Sequence, residues 1–396
     1  MSESVQTAVQ NLTSKDFQSD QEVRWCPGCG DYSILAQVQK IMPTLGIPRE
    51  NIVIVSGIGC SSRFPYYMET FGMHSIHGRA TAIASGLKAA RPDLSVWIVS
   101  GDGDSLSIGG NHTIHMLRRN FNVNFMVFNN QIYGLTKGQY SPTSEEHKVT
   151  KSTPFGSIDH PFNPAALAMG ADATFVARSM DRDPKHLQEM LLRSNAHVGA
   201  SFLEIYQNCN IFNDGAFEIY TEKGTKMDEA LFLEQGKPLI FGANQNKGIK
   251  LDGFHPVIVD LEAGGSKDDL WIHDEKDFYK AQILVRMFDD PKMAGHLPRP
   301  FGVFYETERP CYEEMMGLQI EDIIAKKGKG KSAEKTKGKK KGKKHALKSR
   351  NGRRAEHSPP PPGKRGRAGE IWRCKHKKAP CSKRKVLLLL LLLLLL

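Results

Sequence analysis

The sequence lacks any apolar run long enough to span a membrane as a helix, which needs about 18 residues or more. The longest such run is the ten leucines of 387–396. Residues 1–20 are polar and contain no apolar stretch typical of a secretory signal. These absences predict a cytoplasmic protein with no membrane contact. In that compartment the seven cysteines are expected to be ligands or free thiols rather than disulfides.

Excess basic charge is missing from most of the chain, although the formal net charge is +11. Of the 54 Lys and Arg residues, 25 lie within 326–385, together with only three of the 43 acids. The rest of the chain therefore has 29 basic and 40 acidic residues, a net charge of −11. Because the basic charge belongs to a tail, nucleic acid is not expected as a partner.

Composition divides the chain into a flexible N-terminal arm (1–20), a folded part (21–325) and a disordered low-complexity tail (326–396). In the folded part, apolar runs that end at Gly or Asn alternate with amphipathic stretches. The runs predict buried strands at 52–59, 95–103, 124–130 and 201–208. The stretches predict helices at about 31–42, 79–90, 107–119, 164–170 and 184–195. This alternation predicts an α/β fold with a mostly parallel sheet covered by helices on both faces, in three layers.

A carboxylate and an amide follow two neighbouring strands of this predicted sheet. Asp102 ends one strand within Gly-Asp-Gly-Asp, and Asn130 ends the next, 28 residues later. A right-handed crossover would bring both to the carboxyl edge of the sheet, where such folds bind ligands. Carboxylate and amide oxygens suit Mg²⁺, with diphosphate oxygens completing its coordination. The pattern therefore predicts a magnesium–diphosphate site.

This pair of motifs resembles the signature of thiamine-diphosphate enzymes, in which GDG precedes NN by some 25–30 residues. The resemblance implies that Asp102, Asn130 and the carbonyl of Ile132 bind Mg²⁺. It also implies a thiamine-diphosphate-binding domain at 21–240 and a C-terminal extension at 241–325. The backbone expected to meet the diphosphate belongs to Gly103, Asp104, Gly134 and Leu135.

Four cysteines fall at turns or strand ends of the folded part: Cys26, Cys29, Cys60 and Cys209. Four thiolates can hold either one zinc ion or a [4Fe–4S] cluster, and their spacing alone leaves both open. Cys311 matches no motif and is expected to be a free thiol in the core.

Longer segments resemble the β subunits of 2-oxoacid:ferredoxin oxidoreductases: WCPGCG (25–30), GIGCSSRFPYY (57–67), HSIHGRA (74–80), GDGDSLSIGGNH (101–112), NNQIYGLTKGQ (129–139) and EIYQNCNIFNDGAF (204–217). The resemblance implies a [4Fe–4S] cluster on the four cysteines. It also implies that Lys137 pairs with the substrate carboxylate. The residues expected to line the cofactor are Ile58, Gly59, Cys60, Ser61 and His77.

The implied reaction is oxidative decarboxylation of a 2-oxoacid with CoA, with electrons passing through the cluster to ferredoxin. The segments look most similar to the 2-oxoglutarate branch, with pyruvate as the alternative substrate. A non-redox thiamine-dependent decarboxylase or ligase with a structural zinc is a further alternative. The folded part has no second domain to supply the glutamate that activates thiamine, so an α subunit is expected to provide it.

Overall fold

In the computed structural model, the described residues are 12–289, 291, 293 and 295–327. The predicted tail lies almost entirely outside them, as does most of the predicted N-terminal arm. The chain divides into a large unit that ends at Gly317 and a second unit that begins at Leu318. Of the second unit, only the end of the last helix, to Lys327, is described.

Eight strands of the large unit form one sheet in the order β2-β1-β3-β4-β6-β5-β11-β7. Every pair in it is parallel except β11 with β5, which is antiparallel. Three further strands form a small antiparallel sheet, β10-β9-β8. The strands are β1 (Ile52–Ser56), β2 (Phe71–His74), β3 (Ser95–Gly101), β4 (Val123–Asn129), β5 (Phe175–Met180), β6 (Ala200–Tyr206), β7 (Ala230–Phe232), β8 (Ile240–Phe241), β9 (Lys247–Asp252), β10 (His255–Asp260) and β11 (Arg299–Glu306).

The α-helices within the described residues fill most of the crossovers between these strands. They are α1 (Asp31–Ile41), α2 (Ala80–Ala90), α3 (Asp102–Leu106), α4 (Gly110–Arg119), α5 (Pro164–Gly170), α6 (Pro184–Ala196), α7 (Glu218–Thr221), α8 (Lys226–Glu229), α9 (Phe278–Arg286) and α10 (Tyr312–Lys327). None of the described helices has the length and apolar character that spanning a membrane requires.

Both faces of the main sheet are covered, because alternate residues of each strand point to opposite sides. In β1, Ile52 and Ile54 pack into one core with residues of α1 and α6. Val53 and Val55 pack into another core with residues of α2, α4, α5 and α9. The predicted three-layer α/β architecture is therefore confirmed.

Two features of the fold differ from the sequence-based expectation. The predicted helix at 107–119 begins only at Gly110, as α4, because residues 107–109 form a turn after the short helix α3. Strand β11, from the predicted C-terminal extension, lies inside the main sheet between β5 and β7. The predicted boundary at residue 240 stays a prediction.

The strand order creates a crevice above β1 and β3. The chain leaves β1 for the edge strand β2 and leaves β3 for β4, in opposite directions along the sheet. Divergent connections of this kind open a binding site at the carboxyl ends of parallel strands. The loops after β1, β3, β4 and β6 meet there, and they carry most of the predicted site residues.

Candidate active site

Asp102 lies at the carboxyl end of β3 and is 2% exposed. One of its carboxylate oxygens accepts hydrogen bonds from the hydroxyls of Ser141 and Thr143, each at 2.5 Å. Burial raises the pKa of Asp102, and the two hydroxyl hydrogen bonds oppose that rise by favouring the charged form. A buried carboxylate at this edge of the sheet is a suitable ligand for a hard cation.

Asn130 follows β4, at the same edge of the sheet. Its side chain and the side chain of Asp102 form hydrogen bonds with different residues. The Asn130 amide nitrogen donates to Gln207 Oε1 at 2.8 Å, and its oxygen accepts from the Ile132 backbone at 3.2 Å. The amide linked to Asp102 is that of Asn129, through the Thr143 hydroxyl. Magnesium ligation by Asp102, Asn130 and Ile132 stays a prediction.

The Asp104 carboxylate joins three loops at the crevice. It accepts from Ser100 Oγ at 2.6 Å and from the backbone nitrogens of Gly78 and Ile58 at 2.8 and 3.3 Å. It also contacts Nδ1 of His77 in a short hydrogen bond. Asp104 therefore ties the loops after β1 and β2 to the loop after β3, with its side chain directed into the protein.

Within the described residues, His77 is held through its Nδ1 nitrogen. With Nδ1 on Asp104, its Nε2 is the nitrogen left to meet a ligand, and its side chain is 42% exposed. The Tyr133 ring packs edge-on against it, with centroids 6.4 Å apart. The His77 ring, which is predicted to contact the diphosphate, is thus held in one orientation.

Gly103 has a packing role that the sequence did not reveal. A Cβ atom at this position would overlap the Tyr133 ring, and the Tyr133 hydroxyl donates to the Gly103 carbonyl at 3.0 Å. Glycine here lets the loop after β4 close over the loop after β3. Its predicted contact with diphosphate remains untested.

The loop after β4 brings the predicted cofactor residues next to the cysteines. Lys137 N donates to the Gly134 carbonyl at 3.0 Å and closes a turn that leaves Lys137 and Leu135 exposed. A Cβ atom placed on Gly134 would lie 3.5 Å from Cys60 Sγ and 3.6 Å from Cys209 Sγ. The two thiols thus flank the turn that carries Lys137.

The four predicted cluster cysteines come from three loops, and electrostatic interactions link Cys60 to each of the other three. Burial raises the pKa values of Cys29 and Cys209, and raises that of Cys60 to about 12. Charge on Cys60 and Cys209 raises the pKa of Cys29 further, and charge on Cys26 does so for Cys60. Among the described residues, no three Cys, His, Asp or Glu side chains lie close enough together to hold one metal ion.

Asp31 is a buried acid beside these thiols, 1% exposed at the start of α1. Burial and the charge of Asp181 raise the pKa of Asp31 to about 7, and an interaction with the Cys29 thiol opposes that rise. The charge of Asp31 itself raises the pKa values of the Cys29, Cys60 and Cys209 thiols, which places it next to the four-cysteine region.

A cavity of about 450 Å³ opens beside the loop after β1. Ile58, Gly59 and Leu135 line it, which are three of the predicted cofactor residues. Ser61, a fourth, is buried, and its hydroxyl has no hydrogen-bond partner among the described residues. The cavity wall also carries basic side chains: Arg24, Arg63 and His74.

Several residues of this site were not predicted from the sequence. Ser141 and Thr143 contact Asp102, Gln207 contacts Asn130 and Cys29, and Arg63 lines the cavity. The only signal in the sequence was the hydroxyl-rich run SPTS (141–144), directly after the GLTKGQ segment.

The fold and the site define a thiamine-diphosphate-binding domain. Residues 57–205 match the family model described as the thiamine pyrophosphate enzyme C-terminal TPP-binding domain. This range runs from the loop after β1 to the end of β6 and contains Asp102, Asp104 and Asn130.

Two named relatives show which family within this class the chain belongs to. The chain is 53% identical over 325 residues to the 2-oxoglutarate oxidoreductase subunit KorB of Mycobacterium tuberculosis, covering 80% of this chain and 84% of that protein. It is 42% identical over 206 residues to the β subunit of 2-oxoacid:ferredoxin oxidoreductase 1 from Aeropyrum pernix, covering 52% and 65%. The chain belongs to the family of 2-oxoacid:ferredoxin oxidoreductase β subunits, as its sequence motifs predicted.

A solved structure agrees with this membership. The 2-oxoglutarate:ferredoxin oxidoreductase from Magnetococcus marinus, with 2-oxoglutarate, coenzyme A and succinyl-CoA bound, superposes with a TM-score of 0.63 at 33% identity. The match covers 79% of this chain and 91% of that one.

Proposed function

We propose that this chain is the thiamine-diphosphate-binding β subunit of a 2-oxoglutarate:ferredoxin oxidoreductase. The reaction converts 2-oxoglutarate, CoA and oxidised ferredoxin to succinyl-CoA, CO₂ and reduced ferredoxin. The observation that supports it best is the position of Gly134. This residue lies in the loop that follows Asn130, and its backbone packs against the thiols of Cys60 and Cys209. A thiamine site and an electron carrier would therefore be neighbours.

The oxygen-rich edge fits Mg²⁺ and diphosphate. Asp102 offers a buried carboxylate, and Asn130 and the Ile132 carbonyl follow the adjacent strand. His77 would contact a diphosphate oxygen through Nε2 while Asp104 holds its other nitrogen. Bound thiamine diphosphate would supply the electron sink that 2-oxoacid decarboxylation requires and that no side chain offers.

The remaining contacts to the cofactor are assigned to loop backbone and small side chains. Ile58 and Gly59 follow β1 and line the cavity, and Ser61 follows them with a buried hydroxyl that has no hydrogen-bond partner among the described residues. The backbone near Gly103 and Leu135 would approach the diphosphate from the loops after β3 and β4.

The four cysteines are assigned to a [4Fe–4S] cluster rather than to zinc. Four thiolates can hold either group, but oxidation of a 2-oxoacid beside thiamine requires a one-electron carrier nearby, and zinc has no redox chemistry. Cys26, Cys29, Cys60 and Cys209 would hold the cluster, which would pass single electrons onward to ferredoxin.

Cationic side chains suit a dicarboxylic substrate. Lys137 would pair with the carboxylate next to the keto group. Of the two arginines in the cavity, Arg24 is already paired with Glu22 at 2.8 Å. Arg63 is therefore our choice for the second carboxylate, which 2-oxoglutarate has and pyruvate lacks.

Substrate preference tests this assignment. In complex with its α subunit, Arg63→Gln is expected to raise KM for 2-oxoglutarate about 10- to 100-fold, the value of one charge-assisted hydrogen bond. KM for pyruvate should change little. Arg91→Gln, at a surface arginine paired with Asp93, is the control. Equal KM changes for both substrates would remove Arg63 from the site of the second carboxylate.

The need for an α subunit is tested separately. The chain purified alone should show no 2-oxoglutarate-dependent reduction of ferredoxin or of a viologen dye. The same chain co-purified with a candidate α subunit should show activity that requires CoA. Robust activity of the isolated chain would contradict the proposal.

A further inference from the structure

A continuous set of buried contacts links the centre of the main sheet to Asp102. Arg178 Nε donates to Glu204 Oε2 at 2.8 Å, and Glu204 Oε1 accepts from Asn129 Nδ2 at 2.8 Å. The Asn129 oxygen lies 2.9 Å from the Thr143 hydroxyl. The same hydroxyl lies 2.5 Å from the Asp102 carboxylate. Neighbouring strands β5, β6 and β4 thus contribute one member each.

The ion pair at the base of this set is costly to bury. Arg178 and Glu204 are both 0% exposed and lie opposite each other in the parallel register of β5 and β6. Removing two charges from water costs several kcal/mol per ion, so apolar side chains could fill this space at no loss of stability. Unlike an apolar pair, this ion pair can orient a polar neighbour. The second carboxylate oxygen of Glu204 accepts a hydrogen bond from the Asn129 amide.

Thr143 is the junction between this support and the predicted metal ligand. It is 1% exposed and touches Asn129 on one side and Asp102 on the other. Ser141 reaches the same oxygen of Asp102 and lies 3.2 Å from the Thr143 hydroxyl. Both hydroxyls belong to the chain that continues from the turn carrying Lys137.

We propose that Thr143 is a positioning residue for the magnesium–diphosphate site, with Glu204 and Arg178 as its buried support. Its hydroxyl fixes the Asp102 carboxylate and ties the segment after Lys137 to the end of β3. Partners that orient a metal ligand in this way typically change metal affinity 10- to 100-fold when removed. The inference rests on the proposed function, because it presumes that Asp102 binds Mg²⁺.

The test measures magnesium-dependent binding of thiamine diphosphate. The α–β complex, purified without oxygen and dialysed free of cofactor and Mg²⁺, is titrated with MgCl₂ at fixed thiamine diphosphate, and binding is followed by calorimetry. Thr143→Val, which removes the hydroxyl at similar volume, should weaken the apparent Mg²⁺ affinity about 10- to 100-fold. Thr143→Ser, which keeps the hydroxyl, should stay within about threefold of wild type, as a retained hydrogen bond predicts.

A matched control is available elsewhere in the fold. Thr174 is also 1% exposed, and its hydroxyl bonds the Asn120 amide oxygen at 2.7 Å, at the opposite end of the strands. Thr174→Val should leave Mg²⁺ affinity unchanged even if it lowers Tm. Equal Mg²⁺ affinities of Thr143→Val and wild type would overturn the inference, as would equal losses in Thr143→Val and Thr174→Val.

The contribution of the buried pair is tested by combining variants. If Glu204 acts through Thr143, Glu204→Gln weakens Mg²⁺ binding alone but adds little to Thr143→Val, since residues in one network are not additive. Fully additive losses would show that Glu204 acts independently and would remove it from the proposal. A wild-type complex with no Mg²⁺-dependent binding would instead refute the proposed function itself.

Discussion

Two regions of the carboxyl edge differ in how far the chain satisfies its own polar groups. Around Asp102 and Asp104, six hydrogen bonds from hydroxyl, backbone and imidazole groups meet two buried carboxylates. Around the four cysteines, burial raises the pKa values of the Cys29, Cys60 and Cys209 thiols and of the Asp31 carboxyl group. Hydrogen bonds thus hold the carboxylates of the first region before any ligand binds, whereas the second region gathers desolvated acidic groups with few such bonds.

This difference has a physical consequence. A preformed oxygen site loses little order when it binds diphosphate and Mg²⁺, so cofactor binding and folding are expected to be separable. A site of thiols must release protons to bind metal, and the binding energy then contributes to folding. We therefore expect the cysteine region to depend on the proposed cluster for stability and the oxygen region to depend on its internal hydrogen bonds.

The largest expected effect comes from removing a thiol. Cys209→Ala should lose nearly all bound iron and all electron transfer, because the cluster requires four cysteine ligands. Binding of thiamine diphosphate should stay within a few-fold of wild type if the two regions are separable. Cys311→Ala, at a cysteine buried in the core as predicted, is the control and should keep its iron. An iron content of Cys209→Ala equal to that of wild type would contradict the proposal that Cys209 holds the cluster.

The next largest effect concerns the predicted metal ligand. Asp102→Asn should weaken Mg²⁺-dependent binding of thiamine diphosphate by at least about 100-fold, the upper range for groups outside the ligand shell. Iron content should not change. Asp93→Asn, at an exposed acid paired with Arg91, provides the comparison. Unaltered affinity in Asp102→Asn would exclude it as a ligand.

A smaller loss is expected at Asp104. Asp104→Asn keeps the side-chain shape but weakens the hold on His77 and on the backbone of Gly78. Thiamine diphosphate affinity should fall about 10-fold, as for other orienting partners. Binding measured by calorimetry tests this, and a loss as large as that of Asp102→Asn would mean that Asp104 itself contacts the metal.

The smallest effect is a gain in stability of the iron-free protein. The pKa of Asp31 is raised by burial from 3.8 to about 7, so the folded state holds its proton more tightly than the unfolded state. Stability from this group is complete below pH 3.8 and is lost as pH rises towards 7. Asp31→Asn should therefore raise Tm by a few degrees at pH 8 and hardly at all at pH 3.5.

Thermal unfolding followed by circular dichroism at both pH values measures the difference in Tm between Asp31→Asn and wild type. The same gain at both pH values would show that the charge of Asp31 is not the cause. Asp181→Asn, which removes the neighbouring acid, should give a smaller gain with the same pH dependence.

The sequence predicted the parts of the site that follow strands. Gly-Asp-Gly and Asn-Asn mark the ends of β3 and β4, and an apolar run before each motif was enough to place them at one edge. The positions of most helices and strands could likewise be predicted from the apolar runs and amphipathic stretches of the sequence. The parallel part of the sheet could be predicted because its strands are continuous apolar runs.

Contacts between distant loops could not be predicted in this way. Thr143 meets Asp102 across 41 residues, and no periodicity in the sequence encodes that contact. Strand β5 contains a buried arginine, Arg178, whose partner Glu204 became visible only with the fold. Likewise, the packing of the Tyr133 ring against Gly103, 30 residues away, could not be predicted from the motif that contains Gly103.

Four thiols beside the loop after β4 are proposed to hold an iron–sulfur cluster. The amounts of iron, acid-labile sulfide and zinc per chain, in protein purified without oxygen, test this proposal. We predict about four iron and four sulfide with negligible zinc, the composition of one [4Fe–4S] cluster. One zinc per chain without iron or sulfide would contradict the account.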